Sequence, residues 1–125
     1  MNNKKPFSVM DRLRSFIYAI AGLKTFFQTE HNSWIHILAA SSIIILGKLI
    51  RLNNYEWCFI ILAIGLVLMA EIFNTAIESL TDIVSPDYCD MAKKVKDVSA
   101  AAVLVAAIAA LCIGLFVFVP KIFNV

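Results

Sequence analysis

Glu71, Asn74, Glu78 and Asp82 fall at i, i+3, i+7 and i+11 of a stretch that begins as a continuous apolar run. At about 100° per residue they project from one narrow stripe of a helix. An ionised carboxylate at bilayer depth costs at least about 2.5 to 3.5 kcal/mol, so a row of them calls for a cation, a partner or an aqueous cleft. Oxygen donors such as Glu78 and Asn74 suit Mg2+, which binds through one or two carboxylates together with substrate phosphates. Glu30 offers a further oxygen from outside the stripe. Across a short connection stand Lys93, Lys94, Lys96 and Asp97, whose cations can neutralise an anionic substrate held against the metal. Glycine occurs only at positions 22, 47, 65 and 114, in neither P-loop nor dinucleotide spacing, so a nucleotide must be held by side chains and metal.

The elements that carry these groups are read from hydropathy. Of 125 residues, 61% are hydrophobic and 16% charged, with a mean hydropathy of +0.83, more than a soluble domain of this size can bury. An all-α membrane protein is expected, forming one domain over residues 1–125. Leu13, Phe16, Ile17, Ile20, Leu23 and Phe27 recur at helical spacing opposite Arg12, Arg14 and Lys24, which predicts an amphipathic surface helix over about 8–28. Apolar runs predict membrane spans over about 34–51, 56–80 and 98–119. Tyr55 and Trp57 suit an aromatic anchor at the mouth of the second span. Ser85-Pro86-Asp87 has the residues of a helix start. The alanines of the third span, among them Ala101, Ala102, Ala106, Ala107, Ala109 and Ala110, permit close helix approach.

Three spans place Lys4, Lys5, Arg12, Arg14, Lys24, Lys93, Lys94 and Lys96 on one side of the membrane, and only Lys48, Arg51 and Lys121 on the other. By the excess of positive charge the amino terminus and the second loop are cytoplasmic. No cleavable signal segment is visible after Lys4 and Lys5. Cys58, Cys89 and Cys112 have neither disulfide nor zinc spacing and read as packing residues. His31 and His36 lack neighbouring cysteines, and His36 reads as a polar interfacial residue. Hydrophobic faces left over on so short a chain argue for self-association, and no nucleic acid is expected among its partners.

The run Ala70-Glu71-Ile72-Phe73-Asn74-Thr75-Ala76-Ile77-Glu78, followed by Asp82 and then Lys96-Asp97, resembles the signature of the prokaryotic diacylglycerol kinase and undecaprenol kinase family. The resemblance extends from Ala21-Gly22-Leu23-Lys24 and Thr29-Glu30 to Ala101-Ala102-Val103-Leu104, and includes the order of surface helix and three spans. It implies a homotrimeric helical bundle in the bacterial inner membrane that transfers the γ-phosphoryl of Mg-ATP to the hydroxyl of a membrane lipid at the cytoplasmic face. Carried over residue by residue, it makes Glu71 the candidate general base, Glu30 and Glu78 the metal carboxylates and Asn74 a polar positioner, with Asp82 a secondary candidate. Lys96 and Asp97 become nucleotide contacts, with Arg12 and Arg14 as counterparts of the family's amino-terminal basic residues. Thr29-Glu30-His31-Asn32 with Trp34-Ile35-His36 is similar to the undecaprenol kinase branch, whereas Ser99-Ala100-Ala101-Ala102 departs from its glycine-containing version.

Two other classes fit membrane carboxylates. A small oligomeric cation- or proton-coupled transporter would line a path with Glu71 and Glu78, but its acids are expected near the midplane beside broken helices. A non-catalytic assembly partner would use the same charges only to pair protomers.

Overall fold

A computed structural model describes residues 8–123 and contains four helices in chain order: α1 (Val9–Thr29), α2 (His31–Leu49), α3 (Asn54–Val84) and α4 (Asp90–Phe123). Lys4 and Lys5, counted above on the cytoplasmic side, lie outside the described residues, as does the side chain of His31. Two compact units, Met1–Trp34 and Ile35–Val125, are described each by itself.

In the first unit, α1 opens on Ser8, whose side chain accepts from the Asp11 N–H. Leu13, Phe16, Ile17 and Ile20 remain exposed, as expected of a helix built to meet an apolar surface. The helix ends without glycine or proline at Glu30, which leaves helical geometry while its N–H still donates to the Phe26 carbonyl. The Glu30 carbonyl then receives both the Ser33 N–H at 3.1 Å and the Ser33 hydroxyl at 2.6 Å, so one extended residue closes α1 and opens α2.

In the second unit, α2, α3 and α4 are the three helices long and apolar enough to cross a membrane. At 1.5 Å per residue α3, with 31 residues, is about 46 Å long and α4, with 34, about 51 Å, against a hydrocarbon core of about 30 Å. Both helices therefore extend beyond the spans expected at 56–80 and 98–119 and carry their polar residues past the apolar layer.

The expected turn after α2 is built as a Schellman cap: Arg51 takes φ 57°, its N–H donates to the Lys48 carbonyl, and the Leu52 N–H reaches back to Gly47. Asn53 and Glu56 then form a reciprocal capping box at the start of α3. Gly47 is required here by space, because a Cβ would stand 2.9 Å from Leu52 Cδ1 and 3.0 Å from the Trp57 ring. Trp57 is thus half-buried against the cluster of Leu52, Ile60 and Val117, and only Tyr55 stands exposed as an interfacial anchor would.

The main helix packing is between α3 and α4. Ala106 is buried on α4 and Ala63 on α3, whereas Ala101, Ala102 and Ala107 lie on an exposed side. The fourth helix does not begin at Ser85-Pro86-Asp87 as its residues predict. Ser85 is consumed as the C-cap of α3, its N–H bonding Thr81, and Pro86 follows where a helix cannot continue. Cys89 accepts the first helical bond of α4 instead, from the Lys93 N–H at 2.9 Å. The three cysteines are free and exposed in the chain, not packed as expected.

Candidate active site

The carboxylate stripe occupies the half of α3 remote from the Leu52–Ile60–Val117 cluster, and each of its members meets a partner. Glu71 is half-buried and its Oε1 lies 2.7 Å from Nε2 of His36 on α2. His36 is therefore not a free interfacial residue. Its role was hidden in the sequence because a contact between residues 35 positions apart depends on how α2 leans on α3.

One turn further, the Asn74 amide donates to Glu78 Oε1 at 3.0 Å and its carbonyl oxygen accepts the Ser99 hydroxyl at 2.7 Å. Ser99 is buried on α4, and its single hydroxyl hydrogen is shared between Asn74 Oδ1 and the carbonyl of Lys96 at 2.9 Å. It is a site residue that sequence reasoning missed. The signal available was a hydroxyl three residues after Lys96, placed one helical turn deeper in an apolar helix.

At the water-facing end Asp82 takes Lys96 across the α3–α4 interface. Asp97 is exposed and held by Lys93 on its own helix at 2.7 Å. Asp82 and Asn74 are thus tied to α4 at two levels, and Glu78 to Asn74, while Glu71 is tied to α2. Among the described residues no buried side-chain nitrogen or oxygen is left without a partner, as a site in an apolar surrounding requires.

Arg12 and Arg14 are exposed on α1, Arg14 at 3.9 Å from Asp11, and Glu30 is half-buried at the junction of α1 and α2. These three belong to the first unit. Among the described residues no three of His, Cys, Asp or Glu converge as a metal cage. The donor set does fit Mg2+ in the manner of phosphate-transfer sites, since Glu78 Oε2 has no partner among the described residues and such sites complete the shell with phosphate and water oxygens.

An apolar cavity of about 380 Å³ opens between α2, α3 and α4, and among the described residues His36 is the only polar one on its wall, which runs to Phe118. A second, of about 410 Å³, lies along α3 and α4 with Asn74 and Ser99 on its lining. Polar groups thus stand at the ends of hydrocarbon-lined spaces, the arrangement needed to react a lipid head group whose chain stays in an apolar phase.

Carboxylates, a lysine and hydroxyl-bearing groups at one end of helices long and apolar enough to cross a membrane, with apolar cavities along them, fit a membrane enzyme acting on lipid head groups. The prokaryotic diacylglycerol kinase profile matches residues 17–118, and the chain therefore belongs to that family. It is similar to an undecaprenol kinase of Bacillus subtilis (strain 168), 38% identical over 109 residues covering 87% of this chain and 89% of that protein. It is also similar to a diacylglycerol kinase of Synechocystis, 37% identical over 90% of this chain and 65% of that protein. A diacylglycerol kinase of Helicobacter pylori is 28% identical over 74% of this chain and 72% of its own. The chain is a membrane lipid kinase, and the coupled-transporter and assembly-partner alternatives give way to that membership.

Proposed function

We propose that this kinase transfers the γ-phosphoryl of Mg-ATP to the hydroxyl of undecaprenol, with diacylglycerol as the other acceptor, at the cytoplasmic face of the bacterial inner membrane. The choice of acceptor is supported by the undecaprenol kinase similarity over nearly the whole of both chains. The reaction itself rests most on one observation: Glu71 is the deepest acid of the stripe, half-buried and oriented by a neighbouring imidazole.

In this reading the lipid hydroxyl gives its proton to Glu71 as its oxygen bonds to the γ-phosphorus, while the bond from phosphorus to the bridging oxygen breaks and ADP leaves. A carboxylate withdrawn from water is well suited to accept that proton. Glu78 and Glu30, the carboxylates that the family resemblance assigns to the metal, would hold Mg2+, which would neutralise charge on the triphosphate. Asn74 orients Glu78 through its amide, with Ser99 fixing which way that amide points. Lys96, positioned by Asp82, and Asp97 contact the nucleotide, with Arg12 and Arg14 as further basic contacts by the family resemblance. The functional unit is a homotrimer, a reading supported by the family and by the apolar exposure of α3 and α4 in a single chain. Each chain acts as one lipid-kinase domain.

Labelled Mg-ATP is presented to purified protein with separate pools of undecaprenol and diacylglycerol. Wild type is expected to label lipid, undecaprenol most efficiently. Glu71→Gln and Glu78→Gln are each expected to lower kcat by about 10²-fold or more, within the span of general-base and electrostatic contributions. Unlabelled lipid in both pools, or full activity of Glu71→Gln, overturns the assignment.

A further inference from the structure

We infer that His36 is a positioning residue for phosphoryl transfer: its imidazole fixes the Glu71 carboxylate so that one oxygen is presented to the lipid hydroxyl. This rests on Glu71 acting as the base proposed above.

The geometry carries the assignment in three ways. His36 Nε2 and Glu71 Oε1 are 2.7 Å apart, a separation that two polar atoms sustain only with a proton between them. Both side chains are largely withdrawn from solvent, 24% and 17% exposed, so the imidazole is not a casual surface partner. Among the described residues no other side-chain ion pair or hydrogen bond joins α2 to α3, so the polar link between these helices falls on the candidate base.

The consequence follows from what a lone glutamate does in a helix. Its three side-chain torsions sweep the carboxylate through several rotamers, and each wrong one must be left before a proton can be accepted. An imidazole N–H directed at Oε1 removes that freedom and leaves Oε2 for the substrate. His36 also stands on the wall of the 380 Å³ apolar cavity. An alcohol whose chain enters that space brings its hydroxyl to the side where the imidazole holds the carboxylate. Asn74 and Glu78, the next polar groups along α3, are engaged with each other and with Ser99, so they do not supply the same restraint.

The test is a double-mutant cycle in detergent micelles containing undecaprenol and Mg-ATP, using His36→Ala, His36→Gln, Glu71→Gln and the His36→Ala/Glu71→Gln double variant. His36→Ala is expected to lower kcat by about 10- to 100-fold with KM for Mg-ATP within about twofold of wild type, in line with the cost of misplacing a reacting group. His36→Gln, which keeps an N–H donor, should recover most of that loss. The double variant should be no slower than Glu71→Gln alone, because His36 acts only through Glu71; a purely structural histidine would add its loss to that background. Wild-type kcat in His36→Ala, no recovery in His36→Gln, or additive losses overturns the positioning role even when Glu71→Gln is inactive. Full activity of Glu71→Gln sinks the general-base reading itself, which separates the two failures.

Discussion

At the scale of single residues, Cys89 combines exposure with a direct hold on a helix start. The backbone N–H groups of Ala92 and then of Met91 at the helix start favour its thiolate and hold the thiol below the ordinary range. The sign follows from linkage. A thiolate favoured by the folded helix start is more populated at a given pH than in the unfolded chain, and the stabilisation it brings is lost as pH falls through the folded value. Alkylation of Cys89 by iodoacetamide is accordingly expected to half-saturate at a lower pH in folded protein than in denaturant, measured by mass spectrometry of the Cys89 peptide. Coincident profiles would remove the claim. The same scale shows where sequence reasoning stopped. Glu71, Asn74 and Glu78 were legible because carboxylates and amides are costly in an apolar helix, whereas His36 and Ser99 were not, because a lone imidazole or hydroxyl near a span is cheap to leave at an interface.

At the scale of elements, the three spans were legible from apolar length alone, and the α2–α3 turn from Arg51-Leu52-Asn53-Asn54. The start of α4 was not. Ser85-Pro86-Asp87 carries valid signals for a helix beginning, but Ser85 serves equally well to end the helix before it, and only packing decides between the two uses. Gly47 offers an element-scale test. Gly47→Ala would drive a methyl into Leu52 Cδ1 and the Trp57 ring; the leucine can turn away, whereas the indole is held in the cluster. A loss of about 1 to 3 kcal/mol is expected, as for other overpacked sites, read as a lower unfolding midpoint in detergent. An unchanged midpoint would show that the α2–α3 corner is looser than its contacts imply.

At the scale of the whole molecule, the expected orientation rests on where the cations fall. If the α3–α4 connection faces the cytoplasm, a membrane-impermeant maleimide applied to intact cells should leave Cys89 unlabelled and should label it after permeabilisation. Labelling from outside would reverse the topology and remove ATP from reach of the site. The distribution of charge made this expectation legible from sequence, while the number of chains in the assembly rests on kinship and on exposed apolar area.

The α3–α4 pair is also pinned at the end opposite the site, where Lys121 Nζ lies 3.2 and 3.1 Å from the two oxygens of Glu56. Together with Asn74–Ser99 and Asp82–Lys96, that contact makes three rungs between two uprights, spread over about 39 Å from Glu56 to Asp82 at the rise of a helix. A ladder with rungs at both ends cannot slide on one upright without breaking every rung, so the alignment of Asn74, Ser99, Asp82 and Lys96 at the candidate site is inherited partly from a lysine at the opposite end of the helix pair.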